Sequence, residues 1–158
     1  MEETEIIIIG DSNLTMARHI PKKAEVHAFP GMLLQHASAV LNKLPRPSKT
    51  KVVLAVGINH RDWVWEDLEP EIEVLHRNLA DAQAEIYIAG VPLHSKLNQE
   101  QRAVLTKLNN KMKEWQGGNY VSPILAEEVE VSSTDRYRIH HTQDTTDKVM
   151  KSFFDFLV

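Results

Sequence analysis

Four short apolar runs, each closed by a glycine, alternate along this chain with stretches whose apolar residues recur every three or four positions. No other feature restricts the fold as much. Ile6 to Ile9 stops at Gly10, Val26 to Phe29 at Pro30-Gly31, Lys51 to Val56 at Gly57, and Glu85 to Ala89 at Gly90. A run apolar at nearly every position suits a strand covered on both faces, which is the habit of parallel sheets. Tyr120 to Ile124 is a fifth run, broken by Pro123, and this confines it to a sheet edge. Between the runs the period becomes helical. Leu33, Ala37, Val40 and Leu44 fall on one stripe, as do Leu68, Ile72, Leu75 and Leu79. So do Leu105, Leu108, Met112 and Trp115, and then Val149, Phe153 and Leu157. Asn13 to His19 reads as a short helix after the first strand, Pro45-Arg46-Pro47-Ser48 as a loop, and Gly117-Gly118 as a helix stop. Strands alternating with helices predict right-handed crossovers and a single α/β domain over residues 1–158, a three-layer α/β/α sandwich.

Composition narrows the function classes. A chain of 158 residues is one domain's worth, and at that size about 70% of the unfolded surface is buried without staples. Hydrophobic residues at 42% and charged residues at 25% exclude a disordered or fibrous chain. The net charge of -4, with no block of like charge, argues against direct nucleic-acid binding, which needs clustered Lys and Arg. The absence of cysteine removes disulfides, thiolate metal sites and cysteine nucleophiles, and it suits a reducing compartment. The acidic start Met1-Glu2-Glu3-Thr4-Glu5 is neither a signal peptide nor a membrane span, so a soluble, intracellular and cytoplasmic protein is expected.

Open parallel sheets bind ligands at the carboxyl ends of their strands. The residues that matter most are therefore Gly10-Asp11-Ser12-Asn13, Pro30-Gly31, Gly57-Ile58-Asn59-His60 and Gly90-Val91-Pro92. Ser12 stands at a strand-to-helix junction, where its hydroxyl is exposed among free backbone N–H groups. Serine chemistry needs a base for its proton and donors for the oxyanion. The plain alternative is that Ser12 or Asn13 caps the helix. Asp11 puts a carboxylate where a phosphate would need neutral or positive company, which discourages a nucleotide-binding reading.

Taken together, these blocks resemble the SGNH or GDSL hydrolase family. Gly10-Asp11-Ser12-Asn13-Leu14 is similar to its opening block, and Gly31 to its lone oxyanion glycine. Gly57-Ile58-Asn59-His60 resembles its Gly-x-Asn-Asp block, with His60 in place of Asp, and Ile139-His140-His141-Thr142 resembles its base block. The four occur in the family's order over residues 5–158. The resemblance implies a flavodoxin-like fold with five parallel strands in order 2-1-3-4-5. It makes Ser12 the nucleophile and His140 its general base. The N–H groups of Ser12 and Gly31 and the amide of Asn59 would form the oxyanion hole, with no metal or organic cofactor.

The departure lies in the third catalytic member. Where the family has Asp three residues before the base, this chain has Tyr137, in Thr134-Asp135-Arg136-Tyr137-Arg138-Ile139-His140. A carboxylate fixes the imidazole tautomer, and losing it costs about 10⁴ in rate. Three readings stand. Asp135 swings in from a loop built differently, a backbone carbonyl orients His140 in a dyad, or the site is crippled. His141 competes with His140 for the base role, although Thr142, a helix cap by its position, favours His140 by the family's spacing. His19, His27, His36, His76 and His94 are scattered without metal-ligand spacing. His60 either lines the site or is structural, and Trp63-Val64-Trp65 either walls an acyl pocket or joins the core.

Lys51 to Arg61, Phe29-Pro30-Gly31 and His140-His141-Thr142 are also similar to the esterase-like domain of vertebrate non-LTR retrotransposon proteins. That subgroup is linked to esterase activity on short acyl chains and to a lipid or membrane connection. By this resemblance the chain is an excised domain whose parent handles RNA elsewhere. The expected function is a serine esterase cleaving short-chain acyl or lipid esters through an acyl-enzyme, since the small size leaves little room for a lid. The rival is a catalytically silent SGNH-like module that binds a lipid, an acyl group or a protein partner, and Tyr137 keeps it open.

Overall fold

The apolar runs become strands because only a sheet packed on both sides can bury every one of their side chains. In the computed structural model, which describes residues 5–43, 50–80, 85–137 and 139–157, they form β1 (Ile6–Gly10), β2 (Ala24–Ala28), β3 (Lys51–Ala55), β4 (Glu85–Ala89) and β5 (Tyr120–Val121). The five strands lie in the order β2-β1-β3-β4-β5, every neighbouring pair parallel, as expected. Alternate side chains enter two separate cores. Ile7, Ile9, Val52, Leu54, Ile86 and Ile88 face α1 (Leu34–Lys43), α2 (Trp65–Ala80) and α3 (Gln99–Gln116). Ile8, Val53, Tyr87 and Ala89 face α4 (Gln143–Leu157) through its Val149, Met150, Phe153 and Leu157. Each such aliphatic side chain contributes about 1.5–3 kcal/mol by burial, so the two cores dominate the stability.

The predicted helices form on the predicted stripes, and α3 adds a cap that the periodicity does not show. Asn98 accepts the Gln101 N–H at 2.8 Å, and the Gln101 side chain accepts the Asn98 N–H at 3.0 Å. Its other end stops at Gly117, as expected. Asn13 to His19 is not a helix. Only a 3₁₀ turn over Ser12–Leu14 forms, and His19 ends the segment at a φ of 56°. Leu14 and Ala17 alone pack on the core there, too little apolar contact to stabilise a costly helix nucleus. β2 begins before its apolar stretch because the ladder to β1, which pairs Ile6 with Ala24, sets its register. The loop Pro45-Arg46-Pro47-Ser48, Leu44, Arg138 and the first four residues lie outside the described residues. Among the described residues, no helix is long and apolar enough to cross a membrane.

One feature of the register positions the site. Gly10 at the end of β1 pairs with Ala28 on one side and Ala55 on the other. Strands in a sheet are about 4.8 Å apart, so the segments after β1, β2 and β3 leave the sheet side by side.

Candidate active site

The first segment turns at Asp11. Its carboxylate accepts the Asn13 N–H at 3.0 Å and so caps the 3₁₀ turn. That relieves Ser12 of the capping role, and its hydroxyl points instead at the loop before α4. A Cβ on Gly10 would lie 2.3 Å from the Leu14 side chain, so a larger residue there would have to push that buried leucine aside.

The second segment makes a tight turn, with the Met32 N–H donating to the Phe29 carbonyl at 3.1 Å. Pro30 and Gly31 are its central residues, and Gly31 has a φ of 75°. This is the type II turn that Pro followed by Gly favours. Its peptide is exposed, and nothing lies within 4 Å of where a Gly31 Cβ would be. The third segment carries Asn59 and His60 on a 3₁₀ turn, Ile58–His60. The Asn59 amide donates to the Met32 carbonyl at 3.0 Å, which brings it beside Gly31. Among the described residues, no protein group accepts the N–H of Ser12 or of Gly31.

The candidate base, His140, comes from the other end of the chain. Val131 and His141 close a small loop. They make an antiparallel bridge, the Ser132 N–H donates to the His140 carbonyl and the Thr142 N–H to the Glu130 carbonyl, each at 2.9 Å. Asp135 folds back into this loop. One carboxylate oxygen accepts the Ile139 N–H at 2.8 Å and the His140 N–H at 2.7 Å. The other accepts the Tyr137 N–H at 3.1 Å and meets His140 Nδ1 at 2.9 Å. His140 Nε2 then lies 3.1 Å from Ser12 Oγ. The structure thus brings Ser12, His140 and Asp135 into one chain of hydrogen bonds. It is the arrangement in which Asp135 swings in, with the carboxylate five residues before the histidine.

The same loop separates the two histidines. His141 has its N–H on Asn13 Oδ1 at 3.0 Å, and its side chain is buried, whereas the His140 ring meets Ser12 Oγ. Thr142 stands just before α4, and its hydroxyl accepts the Thr145 N–H at 3.3 Å, as its predicted cap position requires. Tyr137 points outward, 53% exposed, with its ring edge-on to His140 at 6.3 Å and the Arg136 guanidinium 4.7 Å over its face.

Burial, the largest single influence, pushes the Asp135 carboxyl up. The N–H groups of His140 and Ile139, the imidazole and the Tyr137 N–H together outweigh it and hold the group well below the usual carboxylate range. Asp11 goes the other way, raised to about 6 by burial against the smaller opposing effects of the Asn13 N–H and His140. A cavity of about 40 Å³ lies behind the Ser12 turn, lined by Asp11, Leu14, Val56, Pro123, His141 and Phe153 among others. Trp63 and Trp65 pack against the core on the α1–α3 side and do not line it. Among the described residues, no three histidine or carboxylate side chains converge where a metal ion could sit.

Asn13 plays a part in the site that sequence reasoning missed. Its side chain holds the His141 N–H and its carbonyl accepts the Thr146 hydroxyl at 3.2 Å, so it ties the serine turn to the base loop and to α4. An Asn directly after the serine is compatible with a cap, and nothing in the sequence distinguishes that from a long-range tie.

The buried histidines fix the acid response of the fold. Burial first, then a neighbouring histidine, lowers His60 to about 4, and burial, then His94 and His140, lowers His141 to about 4. Between pH 6.5 and 4 the unfolded chain therefore takes up protons that these folded histidines refuse, and stability falls on acidification. Asp11 opposes this, because its folded carboxyl protonates near pH 6, before the unfolded one. Burial, then Arg102 and Arg61, lowers His94 as well, so the three histidines outweigh Asp11 and stability is lost from pH 7 to 4. Urea unfolding at pH 7, 5.5 and 4.5 should show a steadily falling midpoint, and a flat profile would contradict the assignment.

The parallel sheet in the order β2-β1-β3-β4-β5, with helices on both faces, is the fold of the SGNH hydrolases. No family model and no curated protein matches the chain by sequence, so the likeness is one of structure. It is similar to the esterase EstA from Pseudoalteromonas sp. at 13% identity, covering 98% of this chain and 97% of that one with a TM-score of 0.69. It is similar to a member of the lipolytic protein G-D-S-L family from Veillonella parvula at 11% identity, covering 96% of each chain with a TM-score of 0.66. The catalytic domain of a Streptococcus pneumoniae peptidoglycan O-acetyltransferase is 17% identical, with 98% of this chain and 90% of that one covered and a TM-score of 0.67.

Proposed function

We propose that the protein is an SGNH-type serine esterase acting on small acyl esters. The observation that carries this reading is the unbroken relay from Asp135 through His140 to Ser12, at 2.9 Å and 3.1 Å. With the carboxylate facing Nδ1, the ring proton is held there and Nε2 is left to accept the serine proton. Ser12 Oγ attacks the ester carbonyl as His140 takes its proton. The negative oxygen that forms is met by the free N–H groups of Ser12 and Gly31 and by the remaining amide proton of Asn59. His140 returns the proton to the leaving alcohol, water attacks the acyl-enzyme with the same histidine as base, and the acid departs. No step calls on a metal or organic cofactor. The folds named esterase, lipolytic and O-acetyltransferase among its neighbours support acyl chemistry as the class. The motif likeness to the retrotransposon esterase-like domain supports short acyl chains, and it brings with it an association with lipid surfaces.

The test is covalent. Incubation with a fluorophosphonate probe should add the phosphonyl mass to the peptide containing Ser12, and p-nitrophenyl acetate should be hydrolysed. A protein that neither reacts nor turns over is not this enzyme. Asn59→Ala should lower kcat about 10²-fold with little change in KM, the usual cost of one oxyanion donor. Steady-state kinetics on p-nitrophenyl acetate measure it.

A further inference from the structure

His60 stands where the family resemblance has an aspartate, and its surroundings suggest why a side chain with an acceptor is needed there. The imidazole is fully buried. Its Nε2 accepts the Leu34 N–H at 2.9 Å, and because a backbone N–H can only donate, the ring proton must sit on Nδ1. That Nδ1 has no partner among the described residues. An unpaired buried N–H destabilises a core, and an aliphatic side chain would fill the space without it. Trp63 stacks edge-on against the ring at 4.4 Å and fixes its plane.

Asn59 and His60 are consecutive, and both reach across to the segment after β2, at Met32 and Leu34 respectively. The turn upstream of those contacts presents Gly31. Type I and type II turns differ by a flip of their central peptide, here the Pro30–Gly31 peptide, whose N–H is the one that Gly31 offers. Nothing lies within 4 Å of where a Gly31 Cβ would stand, so no packing on that side of the turn holds the peptide in place. Its orientation therefore depends on how the two ends of the turn are held. The entering end is fixed by the Phe29 N–H on the Gly10 carbonyl at 2.9 Å, and the leaving end by the pair from β3.

We infer that His60 is a positioning residue for the oxyanion donors, closing with Asn59 a two-point clamp that holds the Gly31 N–H toward Ser12. The inference rests on the esterase reading for its catalytic consequence, while the clamp itself is a structural statement that can be checked separately. Removing the acceptor should loosen the turn and leave the Ser12–His140 relay intact.

His60→Leu removes the acceptor, and His60→Gln keeps an oxygen within reach of Leu34. On p-nitrophenyl acetate, His60→Leu should lose about 10–100-fold in kcat with KM within about threefold, because a misaligned donor is lost chiefly from the transition state. His60→Gln should recover most of it. The pH at which activity rises, set by the Ser12–His140 relay, should be the same in all three proteins. Amide hydrogen exchange supplies the independent readout. Leu34 should be protected in the wild type and in His60→Gln and should exchange faster in His60→Leu, and urea unfolding identifies a variant that is merely unfolded. Equal kcat in a folded His60→Leu protein overturns the inference and leaves the esterase reading standing. If the wild type has no esterase activity, that reading fails, and Leu34 exchange alone decides the clamp: unaltered exchange in His60→Leu overturns it.

Discussion

Ser12→Ala and His140→Ala are each expected to reduce ester turnover by about 10⁴–10⁶-fold, and the double variant should be no slower than either single one. The two groups act as one unit, since a hydroxyl without its base is a poor nucleophile and an imidazole without the hydroxyl has nothing to activate, so their effects do not add. The geometry makes the expectation sharp, because Ser12 Oγ has His140 Nε2 as its partner and the cap of the turn is Asp11 instead. Ser12→Ala should therefore leave the fold intact. Unfolding midpoints should move little while p-nitrophenyl acetate hydrolysis and fluorophosphonate labelling vanish. A Ser12→Ala protein as fast as the wild type would place any activity elsewhere.

The second large effect belongs to Asp135. Asp135→Asn is expected to cost about 10³–10⁴ in kcat, the scale set by a triad carboxylate turned into an amide. The backbone decides how the replacement would sit. The N–H groups of Ile139 and His140 claim one end of the side chain and require an oxygen there. The amide NH₂ is left facing His140 Nδ1, where it can only donate, and the ring proton is driven to Nε2, the wrong nitrogen for accepting from serine. Tyr137→Ala, by contrast, should change kcat less than about threefold, since the ring is exposed, 6.3 Å from the imidazole, and shares no hydrogen bond with it. If Tyr137→Ala were the damaging change and Asp135→Asn the silent one, the relay described above would be the wrong one.

Much of this was legible in the chain itself, and the residues explain where legibility stopped. Ile6 to Ile9 ending at Gly10 admits little but a strand covered on both faces, and the stripes ending at Leu79, Trp115 and Leu157 leave no alternative to helices. Those patterns carry burial, and burial decides the layers, while the strand order was legible only through the motif resemblance. Asn13 to His19 has a helical look without the apolar contact to support it, so the segment stayed a single turn. Asp135 was one candidate among three because spacing along a chain says nothing about a loop that curls back on its own backbone. The choice between His140 and His141 needed the bridge between Val131 and His141, a long-range pairing that no local pattern encodes. His60 could be named but not placed, since a lone histidine after a strand looks the same whether it faces solvent or lies under a helix.

The base loop has a consequence beyond its geometry. Carboxylate and imidazole are joined within one short stretch of chain and oriented by its own peptide groups, so their pairing uses no contact with the serine turn. Such a unit is portable. The ties from Asn13 to His141 and Thr146 set where it is delivered, so a change at Asn13 would move the pair without removing any of its internal hydrogen bonds.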